Sequence, residues 1–284
     1  MVAAGAWTAE QAKTRTLHVG VAARSDRGRR KGVRYHCILG QVPVGAFCEV
    51  EEGIFVASPA YCLLQLAGTG IPMYALVETA VELCGAYGIN PTGDGLAGER
   101  VPLCSTETIA AFLDQLKGVR GLARAKRALA WTTDNSLSPM ETILLVLLKM
   151  PVEEGGHGFA AFEANVSIPV REQSLRALIG GKRSVRGDIV LEGLRAVIEY
   201  DSYENHLSKH DFDATQARAN VLRAMGWHVI SLTYGQVKDC KGFEATMWAI
   251  EQQLGLLHHN PSSHERHLQQ EAHEFLMTQG RSRF

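Results

Sequence analysis

The stretch VIEYDSYENH, residues 197–206, carries two carboxylates, Glu199 and Asp201, one residue apart, followed by His206. Successive side chains of a β-strand alternate between its two faces, so Glu199 and Asp201 are predicted to share one face. A structural strand normally places apolar side chains on its buried face. Two acids that converge at one strand end are suited to hold a cation. The alternative is a solvated strand end with a charged rim, as edge strands often have.

Two further acids precede this stretch: Asp188, predicted to lie in the neighbouring strand, and Glu141, at the start of a helix. Asp188 and Glu199 could together hold Mg²⁺ or Mn²⁺, since hard divalent cations prefer oxygen ligands and keep several waters. Such a metal lowers the pKa of a bound water and neutralises charge on a phosphate. Glu141 could bind a metal-coordinated water or a second ion. The alternatives are an ion pair between Asp188 and Arg186 or Arg183, and a first-turn carboxylate in favourable contact with the helix dipole.

The segments around these acids predict an α/β core with a mixed sheet. A helix begins at Ser138-Pro139, a typical N-cap and first-turn pair. The segment FEANVSIPV is a strand candidate, and two more strands flank the turn LEGLR. A helix ending at Gly226, the strand WHVISLTYG and the helix FEATMWAIEQQLGLL complete the order.

The first half of the chain is predicted to be α+β. Residues 16–57 have the pattern of short strands, with a hairpin in FCEVEEGIFVAS. Helices are predicted from Ser58-Pro59, in MYALVETAVELCGAYG and over the basic residues 106–130. Residues 88–100 are predicted to be a loop. Its G-x-G-x-x-G does not indicate a dinucleotide site, because Asn-Pro-Thr and not a strand precedes it.

The order and spacing of these motifs resemble the PD-(D/E)XK nuclease fold, and within it the Vsr-like endonuclease domains. The matching motifs are SPME at 138–141, RGD at 186–188, EYDS at 199–202 followed by His206, the residues Arg218, Asn220 and Leu222, and GWHV at 226–229. The resemblance covers about residues 138–255. It implies a restriction-endonuclease-like mixed sheet flanked by helices, preceded here by a smaller α+β domain.

The resemblance also implies an activity, the Mg²⁺- or Mn²⁺-dependent hydrolysis of DNA phosphodiesters. It assigns Asp188 and Glu199 as metal ligands and Glu141 and Asp201 as supporting acids. His206 would carry protons, as an imidazole can near neutral pH.

The first half resembles the middle domain of AbiEi-type (type IV) antitoxin-like proteins, through GVRYHCILG and GIFVASPAYCLLQLA. That resemblance implies a phage-defence or toxin–antitoxin setting and allows for a protein partner from such a system. About fifteen residues precede the first predicted strand, too few for the complete winged-helix DNA-binding domain that many such proteins carry.

Two positions depart from the nuclease pattern. Asp201 stands where the general pattern has a lysine, and Ser202 stands where a glycine is usual. Lys182 and Arg183 could supply the missing positive charge. The departures favour an alternative function, a non-catalytic nucleic-acid-binding or regulatory protein on a nuclease-like fold. A third reading is a protein–protein module without affinity for metal or nucleic acid.

Composition sets the remaining expectations. The net charge of −1 gives no global indication of a nucleic-acid partner, so the DNA interaction would be local. The stretch RSDRGRRKGVRYH could bind phosphates or be an exposed loop. No apolar run is long enough for a membrane span and no signal peptide is evident, so a cytoplasmic protein without membrane contact is expected. The six cysteines form no C-x-x-C pair, which fits reduced thiols.

The expected organisation has four parts. Residues 1–100 form the antitoxin-like α+β domain, and residues 101–137 form a basic helical connector. Residues 138–256 form the nuclease-like domain, and residues 257–284 form a polar tail. The tail carries five histidines, among them His264 and His267, and is expected to be a solvated helix or loose segment rather than a zinc site.

Overall fold

The computed structural model describes residues 16–38, 42–89, 96–159, 161–201 and 209–278, of which residues 209–212 are described by their backbone only. The architecture is mixed α/β, as the sequence predicts, and contains helices, three two-stranded sheets and one four-stranded mixed sheet. Among the described residues, no helix has both the length and the apolar character that crossing a bilayer requires.

The N-terminal strands form two separate pairs. Strands β1 (Leu17–Val21) and β2 (Val33–Cys37) run parallel, and β3 (Phe47–Glu51) and β4 (Ile54–Ala57) form the predicted antiparallel hairpin. A 3₁₀ turn at Arg24–Asp26 lies between β1 and β2. Residues Arg24 to Arg34 are mostly exposed, so the basic stretch lies at the surface.

Helices follow at the predicted positions, except that residues 115–121, inside the predicted helical segment 106–130, are not helical. They are α1 (Pro59–Ala67), α2 (Met73–Leu83), α3 (Thr106–Asp114) and α4 (Leu122–Ala130). The Ser58 hydroxyl accepts the N–H of Tyr61 at 3.3 Å and caps α1. The loop prediction for residues 88–100 was wrong at both ends, because β5 (Tyr87–Ile89) and β6 (Leu96–Glu99) pair as an antiparallel hairpin. Gly93 and Gly95 of the G-x-G-x-x-G lie outside the described residues.

The second half builds the mixed sheet in the predicted order. Its elements are α5 (Pro139–Lys149), β7 (Glu163–Pro169), α6 (Gln173–Leu178), β8 (Ser184–Leu191), β9 (Ala196–Asp201), α7 (Lys209–Ala224), β10 (His228–Thr233), α8 (Tyr234–Val237), α9 (Cys240–Leu254) and α10 (Ser263–Thr278). The strand order is β10-β9-β8-β7, with β9 and β10 parallel and the other pairs antiparallel. The short helices α6 and α8 were not predicted.

Two apolar cores lie on opposite faces of this sheet. Ile198 packs in the cluster that contains α5, whereas Val197, its neighbour on β9, packs with Val221 and Leu222 of α7. Adjacent strand residues point to opposite faces, so α5 and α7 cover opposite faces. The α5 cluster also includes buried side chains of α1 to α4, so residues assigned by sequence to the first domain and to the connector share a core with the sheet.

The C-terminal segment is more firmly packed than its polar sequence suggests. Residues 263–278 form the expected helix, α10, but one side of it is buried and not solvated. Gln269, Ala272, His273 and Leu276 are buried. The Gln269 amide donates to the Gly156 carbonyl at 2.9 Å, and Nε2 of His273 hydrogen-bonds to the Val237 carbonyl at 2.7 Å.

Leu276→Ala tests whether α10 contributes to stability. Leu276 is 0 % exposed, so the substitution should lower the free energy of unfolding by about 3 kcal/mol through lost burial and a residual cavity. Leu257→Ala is the matched control, because Leu257 is 98 % exposed and its loss should change stability by less than about 0.5 kcal/mol. Urea titrations followed by circular dichroism measure both. Equal effects would show that α10 is not part of the cooperative core.

Candidate functional site

The two predicted metal ligands lie side by side on neighbouring strands. Ile189 of β8 pairs with Ile198 of β9 in antiparallel register, and one step further along each strand are Asp188 and Glu199. The backbone N–H of Tyr200 donates to Oδ2 of Asp188 at 2.9 Å, which fixes the Asp188 side chain against β9. The structure therefore brings together the acids that the sequence placed on one hairpin.

The Glu199 side chain is held in an environment that disfavours its charge. Glu199 is 6 % exposed, and its Oε2 lies 3.3 Å from Nη2 of Arg218 on α7. Its Oε1 is buried without a hydrogen-bond partner. Burial first, and the neighbouring Asp188 charge second, raise the pKa of Glu199 to about 7, although the Arg218 guanidinium lowers it. A buried oxygen without a donor is costly unless a cation or proton meets it.

Asp188 is also destabilised in its charged form. Burial is the main cause that raises its pKa, and the Asp201 charge adds to it. The pKa of Asp188 is lowered by the Tyr200 N–H and by the charges of Arg218 and Arg186. Arg186 is half exposed and also lies 3.7 Å from Glu99 of β6, so Arg218 is the cation that approaches the pair most directly. The cluster thus concentrates more negative charge than its described cations balance.

Glu141 is near this pair, but its oxygens already have donors. It lies in the first turn of α5, where Oε1 accepts the Ser138 hydroxyl at 3.1 Å and Oε2 accepts the Leu137 N–H at 2.9 Å. The Asn165 amide also donates to Oε2, at 2.7 Å. Burial is the main cause that raises the pKa of Glu141, and the Asp188 charge raises it further, whereas the hydrogen bonds of Glu141 lower it. The geometry favours a capping and supporting role for Glu141.

Asn165 is the site residue that the sequence reasoning missed. Ala164 and Val166 of β7 pair with Ile189 and Gly187, so Asn165 lies opposite Asp188 in the register. Its φ of 54° is in the left-handed region, which asparagine tolerates better than most residues. The signal available in the sequence was an asparagine within the apolar strand candidate FEANVSIPV.

The hydrogen bonds of Asn165 fix the orientation of its amide. Nδ2 donates to the Asn135 carbonyl at 2.8 Å and to Glu141, so this end must be the nitrogen. Oδ1 is then the free end, and it is buried without a hydrogen-bond partner. Asn165 therefore adds a buried neutral oxygen acceptor on β7, the strand that pairs with β8.

The other residues that the sequence predicted for the site lie at different positions relative to Asp188 and Glu199, or outside the described residues. Asp201 ends β9 beside Thr233 of β10, is half-buried, and interacts with both Asp188 and Glu199 through its charge. His206 and Ser202 lie outside the described residues. Lys182 and Arg183 are exposed just before β8.

The oxygen donors fit a divalent cation that takes few protein ligands and keeps its waters, rather than one coordinated entirely by protein side chains. Across the described residues, no group of three or more His, Cys, Asp and Glu side chains is arranged to hold a metal ion. Mg²⁺, however, commonly takes only one or two protein carboxylates and keeps its waters. Asp188 and Glu199 meet that smaller requirement.

Comparisons with known proteins add no assignment: no family model, no curated protein and no solved structure matches this chain.

Proposed function

We propose that the chain is a metal-dependent DNA endonuclease of the PD-(D/E)XK type, acting in phage defence or a toxin–antitoxin system. The observation that carries the proposal is the adjacency of Asp188 and Glu199, with Oε1 of Glu199 buried and without a partner. Two buried carboxylates at opposed positions of neighbouring strands disfavour each other's charge unless a cation lies near them.

Each residue of the cluster has a role in this proposal. Asp188 and Glu199 would hold the cation, and Asn165 would orient Glu141 and offer a third oxygen to the ion or one of its waters. When bound, Mg²⁺ would lower the pKa of a water ligand and neutralise charge on the scissile phosphate. Arg218, which contacts Glu199, would shift toward the phosphate or solvent as the cation takes its place. His206 remains the proposed proton carrier.

The DNA-binding part of the proposal is supported by the exposed basic stretch. Residues 24–34 contain six Lys or Arg and one acid in a chain whose net charge is −1. Contacts between Lys or Arg and phosphates supply sequence-independent affinity for DNA that weakens steeply with salt. Such contacts would hold a duplex without specifying a base sequence.

Calorimetric titration of Mn²⁺ into the wild-type protein and Glu199→Gln tests the metal site. Wild type should bind, and the variant should lose binding, because an amide replaces the charged ligand. Since the pKa of Glu199 is raised to about 7, binding at about pH 6 should release close to one proton, and less at about pH 8.5. Titrations in buffers of different ionisation enthalpy measure that release.

Glu163→Gln is the matched control, since Glu163 is an exposed carboxylate on β7 of the same sheet. This variant should bind Mn²⁺ as wild type does. Equal binding by Glu199→Gln, or binding without any pH-dependent proton release, would contradict the assignment of Glu199 as a ligand.

A second candidate function is a non-catalytic nucleic-acid-binding or regulatory platform. Two observations favour it: Asp201 occupies the lysine position of the nuclease pattern, and Arg218 already provides a cation for Glu199. In that case Arg218 would be a permanent partner and no metal would be needed. Absence of Mn²⁺ binding in wild type, together with salt-sensitive DNA binding, would support the platform and reject the endonuclease.

A further inference from the structure

A pair of thiols lies apart from the carboxylate cluster, where the end of α2 meets the start of α3. Cys84 is the C-cap of α2, and Cys104 immediately precedes Ser105, the N-cap of α3. The two sulfur atoms are 3.9 Å apart. The Leu83 carbonyl accepts the backbone N–H of both Leu103 and Cys104, at 3.1 and 3.3 Å, so the two chain segments are held together independently of the thiols.

The two thiols differ in accessibility and acidity. Cys84 is fully buried, whereas Cys104 is half-buried and reachable by a small oxidant. The hydrogen bond shared with Cys84 is the main cause that lowers the pKa of Cys104, and the Arg100 guanidinium acts in the same direction, against burial and the Asp134 charge. The same hydrogen bond, burial and the Asp134 carboxylate raise the pKa of Cys84. Thiolate character and access determine which cysteine is oxidised first, and both favour Cys104.

We infer that Cys84 and Cys104 form a modification site, a reversible disulfide made by hydroperoxides. In the first step the Cys104 thiolate attacks the peroxide, which yields a sulfenic acid at Cys104 and releases hydroxide or an alkoxide. In the second step the Cys84 sulfur attacks the sulfenic sulfur, the S–S bond forms, and water leaves with the Cys84 proton. The protein loses two electrons and the peroxide gains them. Side-chain rotation must bring the sulfurs from 3.9 Å to about 2.05 Å.

The cross-link would close the chain segment that contains the β5–β6 hairpin. Both thiols flank this hairpin, and its Glu99 contacts Arg186 of β8 at 3.7 Å. Closing a loop reduces the conformational freedom of the unfolded chain, so the oxidised protein should unfold at a higher temperature than the reduced one. A reducing dithiol would restore the free pair and the original unfolding temperature.

The test oxidises the purified full chain with a small excess of hydrogen peroxide, after which the remaining thiols are blocked. The expected product is lighter than the reduced protein by two hydrogen atoms, and a peptide map without reduction shows residues 84 and 104 linked. Dithiothreitol should reverse the change. Cys48→Ser is the matched control, since Cys48 is exposed on β3 and its removal should leave the cross-link rate unchanged.

Cys104→Ser tests whether oxidation begins at Cys104. This variant should give no cross-link and no oxidation at the buried Cys84, while circular dichroism confirms that it is folded. Stable sulfinic acid at Cys104 of wild type with no linked peptide would overturn the inference. So would a linked peptide that joins Cys104 to a cysteine other than Cys84. Because this test needs neither metal nor DNA, its failure leaves the proposed endonuclease activity unaffected.

Discussion

Asp188→Asn is expected to reduce Mn²⁺-dependent nicking of supercoiled plasmid by about 1,000-fold, which corresponds to about 4 kcal/mol of transition-state stabilisation. The substitution removes one charged ligand while it preserves the shape of the side chain. The asparagine oxygen can still accept the Tyr200 N–H that Asp188 accepts at 2.9 Å, so the β8–β9 pairing should survive. The expected loss is therefore chemical and not a consequence of unfolding. Initial rates of conversion from supercoiled to nicked plasmid, at saturating Mn²⁺, measure it.

Asp114→Asn is the matched control for the nicking assay. Asp114 lies on α3 with an exposed side chain, and its partner is Lys126 at 2.6 Å, a surface pair of small energetic value. This variant should nick DNA at the wild-type rate. Unchanged nicking by Asp188→Asn would place the activity at another site or in a contaminating nuclease, and the proposed endonuclease site would be wrong.

The part of the site that sequence could predict is the part made by neighbouring segments. Asp188 and Glu199 belong to two strands joined by one tight turn, so their adjacency follows from strand periodicity and a hairpin connection. The position of Glu141 in the first turn of α5 follows from Ser138-Pro139 in the same way. These are short-range relations, and the residues involved carry recognisable patterns.

The parts that sequence could not predict depend on how strands distant in sequence align with one another. Asn165 contacts Glu141 and lies opposite Asp188 only because β7 pairs with β8 in one particular alignment, with a φ of 54° at Asn165. No local pattern states which residue of β7 lies opposite Asp188. The contacts of Glu141 with Leu137 and Ser138 are local and accompany the start of α5, whereas its contact with Asn165 depends on the β7–β8 register.

The C-terminal helix shows how composition can obscure a buried side. Five histidines and three glutamates gave residues 257–284 a polar appearance, yet Leu268, Ala272, Phe275 and Leu276 recur at helical spacing. That stripe is the signal of a packed amphipathic helix, and Ala272 and Leu276 are indeed buried. Counting residue types hid the periodicity that decides burial.

Glu199→Gln is expected to stabilise the metal-free protein at neutral and alkaline pH. The pKa of Glu199 is about 7 in the folded protein, against 4.5 for an ordinary glutamate. Between these two values the folded state keeps a proton that the unfolded state has lost. The contribution of Glu199 to the free energy of unfolding therefore falls as pH rises from about 4.5 to about 7, and stays low above that. Glutamine cannot ionise, so the variant escapes this loss.

The size of the gain follows from the pKa difference of about 2.5 units. Because each unit corresponds to 1.36 kcal/mol, the gain should be on the order of 3 kcal/mol above about pH 7.5. Urea titrations in EDTA from about pH 4.5 to 8 measure it as the difference between variant and wild type. The wild-type curve must be subtracted because His157 also makes stability depend on pH. Burial lowers the pKa of His157 to about 4, so its contribution to the free energy of unfolding rises with pH up to about 6.5, opposite to that of Glu199. Glu163→Gln, an exposed change on β7, should show no such pH-dependent gain. A difference curve for Glu199→Gln that is flat across this range would mean that Glu199 ionises at its ordinary pKa, and the buried, partner-poor environment assigned to it would be wrong.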